Sequence, residues 1–215
     1  MRGSTPRNLY PLRCAIVFNM DGYTIHIMSN SSAKRNRTKR LVYIALMVAL
    51  AVTLRLMKGA MFGPLQFINF PGVFTIVAGI IFGPSMAMII GAGSYFLSDI
   101  LIGLPGPWTP INVVVMGAVG LITGFMWKGR DRRNISRMAI GVGTYVIMFA
   151  FDIITSCLFY IVMGVEWHNA IIIGIMGLLM PSGGGYMYAT GPITEAVTAV
   201  LVASIVHILL KSENI

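Results

Sequence analysis

Charged residues are scarce in this chain, and their scarcity excludes a soluble domain. Only 11% of the 215 residues are Asp, Glu, Lys or Arg, whereas 56% are hydrophobic. A typical soluble domain carries about 25% charged residues. The composition therefore indicates an integral membrane protein.

Acidic residues are the scarcest charged type, with 7 Asp and Glu against 16 Lys and Arg. Such an excess of positive charge can indicate a nucleic-acid partner. Here, however, the basic residues cluster in two short blocks between apolar runs, AKRNRTKR at 33–40 and KGRDRRNISR at 128–137. Cytoplasmic loops of membrane proteins have this pattern under the positive-inside rule. We therefore predict no nucleic-acid partner.

Cysteine and the common catalytic motifs are also missing. The chain has two cysteines, Cys14 and Cys157, which form no disulfide framework and no metal-ligand spacing. It has no Walker A sequence, so it does not itself hydrolyse ATP through a P-loop. Neither H-E-x-x-H nor G-x-S-x-G occurs. No pattern supports an enzyme, and we predict no cofactor and no metal site.

Residues 1–33 differ from the rest of the chain because they contain no long apolar run. The run that ends near Met20 is too short and too poorly flanked for a signal peptide. From Met28, the sequence MSNSSAKRNRTKR is typical of a short cytoplasmic start, so we expect the natural start at Met28 or Met20. We predict a doubtful or disordered extension over 1–33 and a single membrane domain over 34–215.

Apolar runs predict an all-α integral membrane protein with six transmembrane helices. A span needs about 20 residues to cross about 30 Å of hydrocarbon. Six runs are candidates, namely 41–57, a short 71–82, 84–104, 110–127, 138–163 and 192–210. A further run at 168–180, HNAIIIGIMGLLM, is too short to span easily, and we predict a half-length outer helix there.

Six spans place both basic blocks and Lys211 on one side of the membrane. By the positive-inside rule, that side is the cytoplasm. Seven spans fit the charges slightly less well, because they place the C-terminal tail outside. We therefore predict a multi-pass protein of the cell (plasma) membrane with cytoplasmic N- and C-termini.

Small residues recur at four-residue spacing, which lets helix backbones approach closely in lipid. For the glycine pairs, we favour packing between helices of this chain. The pairs are Ala45 with Ala49 in the first span, Gly79 with Gly83 in the second, and Gly120 with Gly124 in the fourth.

Four ionisable residues fall inside predicted spans, where a charge is costly and usually functional. Three of them, Arg55, Asp99 and Glu195, are predicted near the outer face, and Asp152 is predicted near mid-depth. We place Asp99 about five residues below the outer end of the third span. The acids either line an outward-facing pocket or play structural roles. In structural roles, the acids would pair with Arg55 or cap helices. Glu195 would cap the last span, because it lies near its start.

Loops predicted on the outer side supply aromatic and polar side chains, which concave binding sites combine. They carry Trp108, Trp167, Tyr186 and Tyr188, although each Trp is equally explained as an interface anchor. The loop GLPGPWTP at 103–110 is a candidate wall or lid over a ligand. The predicted substrate-binding residues are Asp99, Trp108, Asn112, Asp152, Trp167, His168, Glu195 and Asn69.

Over residues 40–210, the order of these features resembles the substrate-binding S component of energy-coupling factor (ECF) transporters, which are ABC-type importers. The matching stretches follow a basic lead-in and include Ala45-x-x-x-Ala49 in the first span. The others are INFPG at 68–72, GIIFGP at 79–84, SDILIG at 98–103 and GPITEA at 191–196.

This resemblance implies a membrane protein that captures a small micronutrient, a B vitamin or precursor, in an outward pocket. It implies docking on a transmembrane coupling protein driven by two cytoplasmic ATPase subunits, with Ala45 and Ala49 in the docking face. Three acids against Arg55 favour a neutral or cationic ring compound as the substrate. The residues also leave a second function open, a secondary transporter in which Asp99 or Asp152 carries a coupling proton.

Overall fold

A computed structural model describes residues 17–20, 23–26, 31–62, 68–103, 105–130, 135–179 and 190–212. Contacts divide the chain into two units, Met1–Leu41 and Val42–Ile215. In the first unit, β1 (Val17–Met20) and β2 (Tyr23–His26) pair as antiparallel strands. The extension over 1–33 and its doubtful status stay predictions.

Seven α-helices follow in the part of the chain that the structure describes. They are α1 (Ser31–Phe62), α2 (Phe70–Phe82), α3 (Pro84–Ile102), α4 (Trp108–Met126), α5 (Arg137–Val162), α6 (Trp167–Leu179) and α7 (Thr190–Ser212). The predicted all-α membrane fold is confirmed, because five of these helices are long and apolar enough to cross a membrane. The other two, α2 and α6, have 13 residues each. That α2 crosses as the sixth span stays a prediction.

Glycine and proline separate α2 from α3, as the sequence predicts. Gly83 adopts a φ of 92°, a left-handed conformation that favours glycine. Pro84 then opens α3, where its missing N–H would have had no helical partner. A Cβ atom at Gly83 would meet no described atom within 4 Å, so this glycine shapes a turn and does not pack against another helix.

Close packing of α4 against α2 and α3 depends on the other predicted glycines. A Cβ atom on Gly120 would lie 2.5 Å from the carbonyl carbon of Ala87, and one on Gly79 would lie 3.1 Å from the amide nitrogen of Gly124. Real side chains do not tolerate the first of these distances. These glycines therefore serve packing within the chain, which brings α2, α3 and α4 together beside the site described next.

Helix α1 packs against α2 and α3 through a narrow stripe. Val48 and Val52 are buried in a cluster with Ala78, Ala87 and Ile90. On the same helix, Ala45 and Ala49 are exposed. A separate core joins α2, α4, α5 and α7, and its buried members include Val73, Met116, Met148 and Val206.

Candidate functional site

A cavity of about 330 Å³ lies where several helices begin or end. Helices α1 and α3 contribute residues near their C-terminal ends, whereas α2, α4 and α7 contribute residues near their N-terminal ends. Helix α5 lines one wall, and α6 adds Gly177 and Leu178. The volume falls at the lower end of the range for small-molecule sites, about 300–1,000 Å³.

The basic side of the cavity comes from α1. Arg55 and Lys58 both line it, because residues three apart share a face of a helix. The Nζ atom of Lys58 donates a hydrogen bond to the carbonyl oxygen of Ile68 at 3.2 Å. The guanidinium carbon of Arg55 lies 4.7 Å from the centre of the Tyr95 ring, within the range of a cation–π contact.

Asp99 lies behind Arg55 and is not among the residues that line the cavity. Its Oδ1 atom pairs with Nη1 of Arg55 at 2.8 Å, and its Oδ2 accepts a hydrogen bond from Thr109 at 2.8 Å. Only 3% of the Asp99 side chain is exposed. Helix α3 ends at Ile102, so Asp99 lies closer to the helix end than the predicted five residues. The geometry favours the ion-pair interpretation of Asp99 over direct contact with a ligand.

Two acidic side chains meet at the cavity, Asp152 from α5 and Glu195 from α7. Their carboxyl groups are close enough to interact electrostatically. Because a carboxylate can only accept, a direct hydrogen bond between them needs a proton on one of the two groups. Glu195 is 1% exposed, and its Oε2 has no hydrogen-bond partner within the described residues. A donor on a bound ligand would satisfy such an oxygen.

Neutral polar groups and aromatic rings complete the lining. Asn69, at the start of α2, accepts hydrogen bonds through Oδ1 from the Gly72 amide at 3.1 Å and the Tyr95 hydroxyl at 3.3 Å. The rings of Tyr95 and Phe151 lie 5.7 Å apart and form an aromatic wall. The remaining polar lining side chains are Asn112, Thr155 and Thr194.

Four of the eight predicted substrate-binding residues therefore lie together in the cavity, namely Asn69, Asn112, Asp152 and Glu195. Three others, Trp108, Trp167 and His168, are exposed and are not among the lining residues. Trp108 packs beside Phe159, with ring centres 6.4 Å apart. Tyr186 and Tyr188 lie outside the described residues.

Sequence reasoning missed several lining residues that helical spacing would have found. Lys58 follows Arg55 by three positions, Tyr95 precedes Asp99 by four, and Thr155 follows Asp152 by three. Each lies on the same helix face as a predicted candidate. The part that α6 plays in the lining has no such signal, because it depends on how α6 packs against α5 and α7.

Comparison with known families matches residues 35–212 to the model of the ECF-type riboflavin transporter, S component. The chain is also 26% identical, over 154 residues, to an uncharacterised protein in the gap 3′ region of Pyrococcus woesei. That match covers 68% of this chain and 100% of the relative. No solved structure matches the chain.

The family match spans most of the chain and includes every residue that lines the cavity. S components are membrane-embedded subunits that capture the substrate of an ECF importer, and they are not enzymes. The resemblance inferred from the order of the sequence motifs is thus confirmed, and this chain belongs to the family of ECF-type riboflavin transporter S components.

Proposed function

We propose that this S component captures riboflavin in the 330 Å³ cavity and presents it to an ECF coupling protein for import. The observation that carries the proposal is a cavity with an aromatic wall, neutral polar groups and both basic and acidic side chains, in a chain of the riboflavin S-component family. The cavity faces the outside of the cell, and both termini are cytoplasmic.

The chemistry of the cavity fits the parts of riboflavin. Its flat tricyclic ring has two apolar faces, which suit the wall formed by Tyr95 and Phe151. Its pyrimidine edge has a donor and acceptors, which amide side chains such as Asn112 complement. Its ribityl chain has several hydroxyl groups, which can donate to the carboxyl groups of Asp152 and Glu195.

The charges around the cavity favour a neutral ligand. Asp99 neutralises Arg55 through the 2.8 Å ion pair. With one proton held between them, Asp152 and Glu195 carry a single negative charge, which balances the positive charge of Lys58. The sequence alone favoured a neutral or a cationic compound over an anion, because Lys58 was not counted. With Lys58 included, a neutral flavin is the better match.

The partners follow from α1 and from the missing nucleotide-binding motif. Ala45 and Ala49 are exposed on α1, on a face that no described residue covers, while Val48 and Val52 are buried. Two small residues at this spacing let another helix approach closely within the membrane. A coupling protein docks on this face, and two cytoplasmic ATPase subunits supply the energy that a chain without a Walker A sequence cannot supply.

A second candidate function is proton-coupled secondary transport. The neighbouring carboxyl groups of Asp152 and Glu195 favour it, because a proton held between them is a candidate for coupled movement. Uptake in cells that contain this chain with or without ECF partners separates the two functions. Uptake that needs the ATPases and survives collapse of the proton gradient supports the S-component proposal. Uptake by this chain alone that stops with the gradient supports secondary transport.

Native mass spectrometry of the purified protein tests which ligand it captures. Cells that produce the protein are grown with riboflavin. The purified complex is released gently from detergent, and its mass is measured. We expect a complex whose added mass equals that of riboflavin. A different co-purified compound, on a protein that does not exchange it for added riboflavin, would contradict the proposal.

A further inference from the structure

We propose that Asp99 sets the charge selectivity of the cavity, so that the site binds uncharged riboflavin in preference to its phosphate ester, flavin mononucleotide. This inference rests on the proposed function, because it states which flavins the same cavity takes. Asp99 acts here as a positioning residue, through Arg55.

The geometry distinguishes Arg55, which can contact a ligand, from Asp99, which acts on the ligand through Arg55. Arg55 lines the cavity, and 21% of its side chain is exposed. Asp99 is 3% exposed and is not a lining residue. Its carboxylate lies 2.8 Å from Nη1 of Arg55. Asp99 therefore influences a ligand mainly through the charge and orientation of Arg55.

Neighbouring side chains hold this arrangement in place. Thr109, near the start of α4, donates a hydrogen bond to Oδ2 of Asp99 at 2.8 Å. Ser98 accepts a hydrogen bond from Nη1 of Arg55 and donates to the Tyr95 carbonyl oxygen at 3.1 Å. The Tyr95 ring supports the guanidinium from one face. Asp99 thus stays beside Arg55 because α1, α3 and α4 all contribute to the contact.

The pairing decides how the cavity responds to an anion. An unpaired arginine is the preferred partner of a phosphate group, because its planar fork matches two phosphate oxygens. A paired arginine has its charge cancelled locally, and the buried carboxylate behind it repels a second anion. Phosphate on the ribityl chain would therefore gain little from Arg55 while Asp99 keeps its charge.

The test measures dissociation constants of the purified full chain for riboflavin and for flavin mononucleotide. Its readout is the ratio of the second constant to the first. Asp99→Asn keeps the shape of the side chain but frees the charge of Arg55. We expect this ratio to fall about tenfold, the effect of one unit charge at roughly 10 Å with an effective dielectric constant near 20. Wild-type protein should prefer riboflavin.

Ser98→Ala is the matched control, because it removes the neutral partner of Arg55 and changes no charge. It should weaken the binding of both flavins by similar factors and leave the ratio of their dissociation constants unchanged. The double variant Arg55→Gln with Asp99→Asn has no charge at either position, so its ratio should return towards the wild-type value. Arg55→Gln alone leaves the Asp99 charge without its partner and should raise the ratio, which keeps the test available if Asp99→Asn does not fold.

The outcomes separate this inference from the proposed function. The inference alone is overturned if wild-type protein binds riboflavin but the ratio of dissociation constants does not change in Asp99→Asn. It is also overturned if the ratio changes by the same factor in Ser98→Ala as in Asp99→Asn. Wild-type protein that prefers flavin mononucleotide also overturns the inference, while it keeps the cavity as a flavin site. Wild-type protein that binds neither flavin overturns both.

Discussion

The hydroxyl group of Tyr95 donates a hydrogen bond to Oδ1 of Asn69 at 3.3 Å, and this contact joins α3 to the start of α2 at the cavity. The same Oδ1 accepts from the Gly72 amide and so caps α2. Meanwhile the backbone amide of Asn69 donates to Thr198 on α7 at 3.1 Å. One asparagine therefore ties three helices together where the ligand is proposed to bind.

Removal of the Tyr95 hydroxyl should weaken this junction without loss of the aromatic wall. Tyr95→Phe keeps the ring over which Arg55 lies, but Asn69 loses one donor. We expect a loss of about 0.5–1.5 kcal/mol in the free energy of unfolding, the usual net value of one hydrogen bond. Riboflavin affinity should fall only a few-fold. Thermal unfolding in detergent checks this result, with Tyr145→Phe as the control, since Tyr145 does not line the cavity. An equal loss in both variants would contradict the role of this hydrogen bond.

The glycine contact between α4 and α3 should be intolerant of a methyl group. Gly120→Ala would place a Cβ atom 2.5 Å from the backbone of Ala87, so the helices would have to move apart. We expect the free energy of unfolding to fall by about 1–3 kcal/mol, the typical cost of overpacking. Gly117→Ala on the same helix is the control, because its Cβ atom would sit at an ordinary 3.6 Å from Ala92. Similar melting temperatures for the two variants would refute close packing at Gly120.

The carboxyl pair should contribute to affinity through its acceptor oxygens. Glu195→Gln keeps the size of the side chain but replaces one carboxyl oxygen with an amide NH2 group, which cannot accept a hydrogen bond from a ligand hydroxyl group. We expect riboflavin to bind about 0.5–1.5 kcal/mol more weakly, the usual net value of one hydrogen bond, or roughly twofold to tenfold in dissociation constant. The matched control is Glu166→Gln, since Glu166 is exposed and does not line the cavity. Unchanged affinity in a folded Glu195→Gln protein would remove this pair from the site.

The exposed alanines of α1 should be required for assembly and not for capture. Leucine at both Ala45 and Ala49 would hold a partner helix away, whereas the cavity lies nearer the other end of α1, at Arg55 and Lys58. We expect co-purification with the coupling protein to be lost and riboflavin affinity to be retained. Leucine at Ala139 and Ala150, which are exposed on α5, provides the same change in bulk as a control. A complex that survives the α1 change would show that the docking surface lies elsewhere.

The helices were predictable from the sequence because local signals mark their ends. Gly83 with Pro84 separates α2 from α3, and Gly103, with a φ of 79°, ends α3 close to the predicted boundary. A 13-residue α6 was likewise predictable from its length, since a run of that length is too short to span easily. Hydrophobic runs and turn residues are local signals, so they can be recognised without knowledge of the tertiary structure.

The site was predictable only in part, because its selection depends on which helix faces meet. An ionisable residue inside a predicted span is a functional candidate wherever it lies. Asp152 and Glu195 were found in this way, and both line the cavity. The same reasoning singled out Asp99, yet this carboxylate pairs with Arg55 on α1 and does not line the cavity. Loop aromatics such as Trp108 and Trp167 were candidates by composition alone, and composition does not distinguish a cavity wall from the membrane interface.

Equilibrium titration of ligand-free protein with riboflavin tests the central claim most directly. The protein is purified, stripped of any bound flavin, and titrated while flavin fluorescence is followed, in the wild type and in Asn112→Ala. Trp167→Ala serves as a matched control outside the cavity. The account predicts saturable binding at a single site, weakened in Asn112→Ala by about tenfold or less, as expected for one lost neutral hydrogen bond, and unchanged in Trp167→Ala. Absence of saturable riboflavin binding to folded wild-type protein would contradict it.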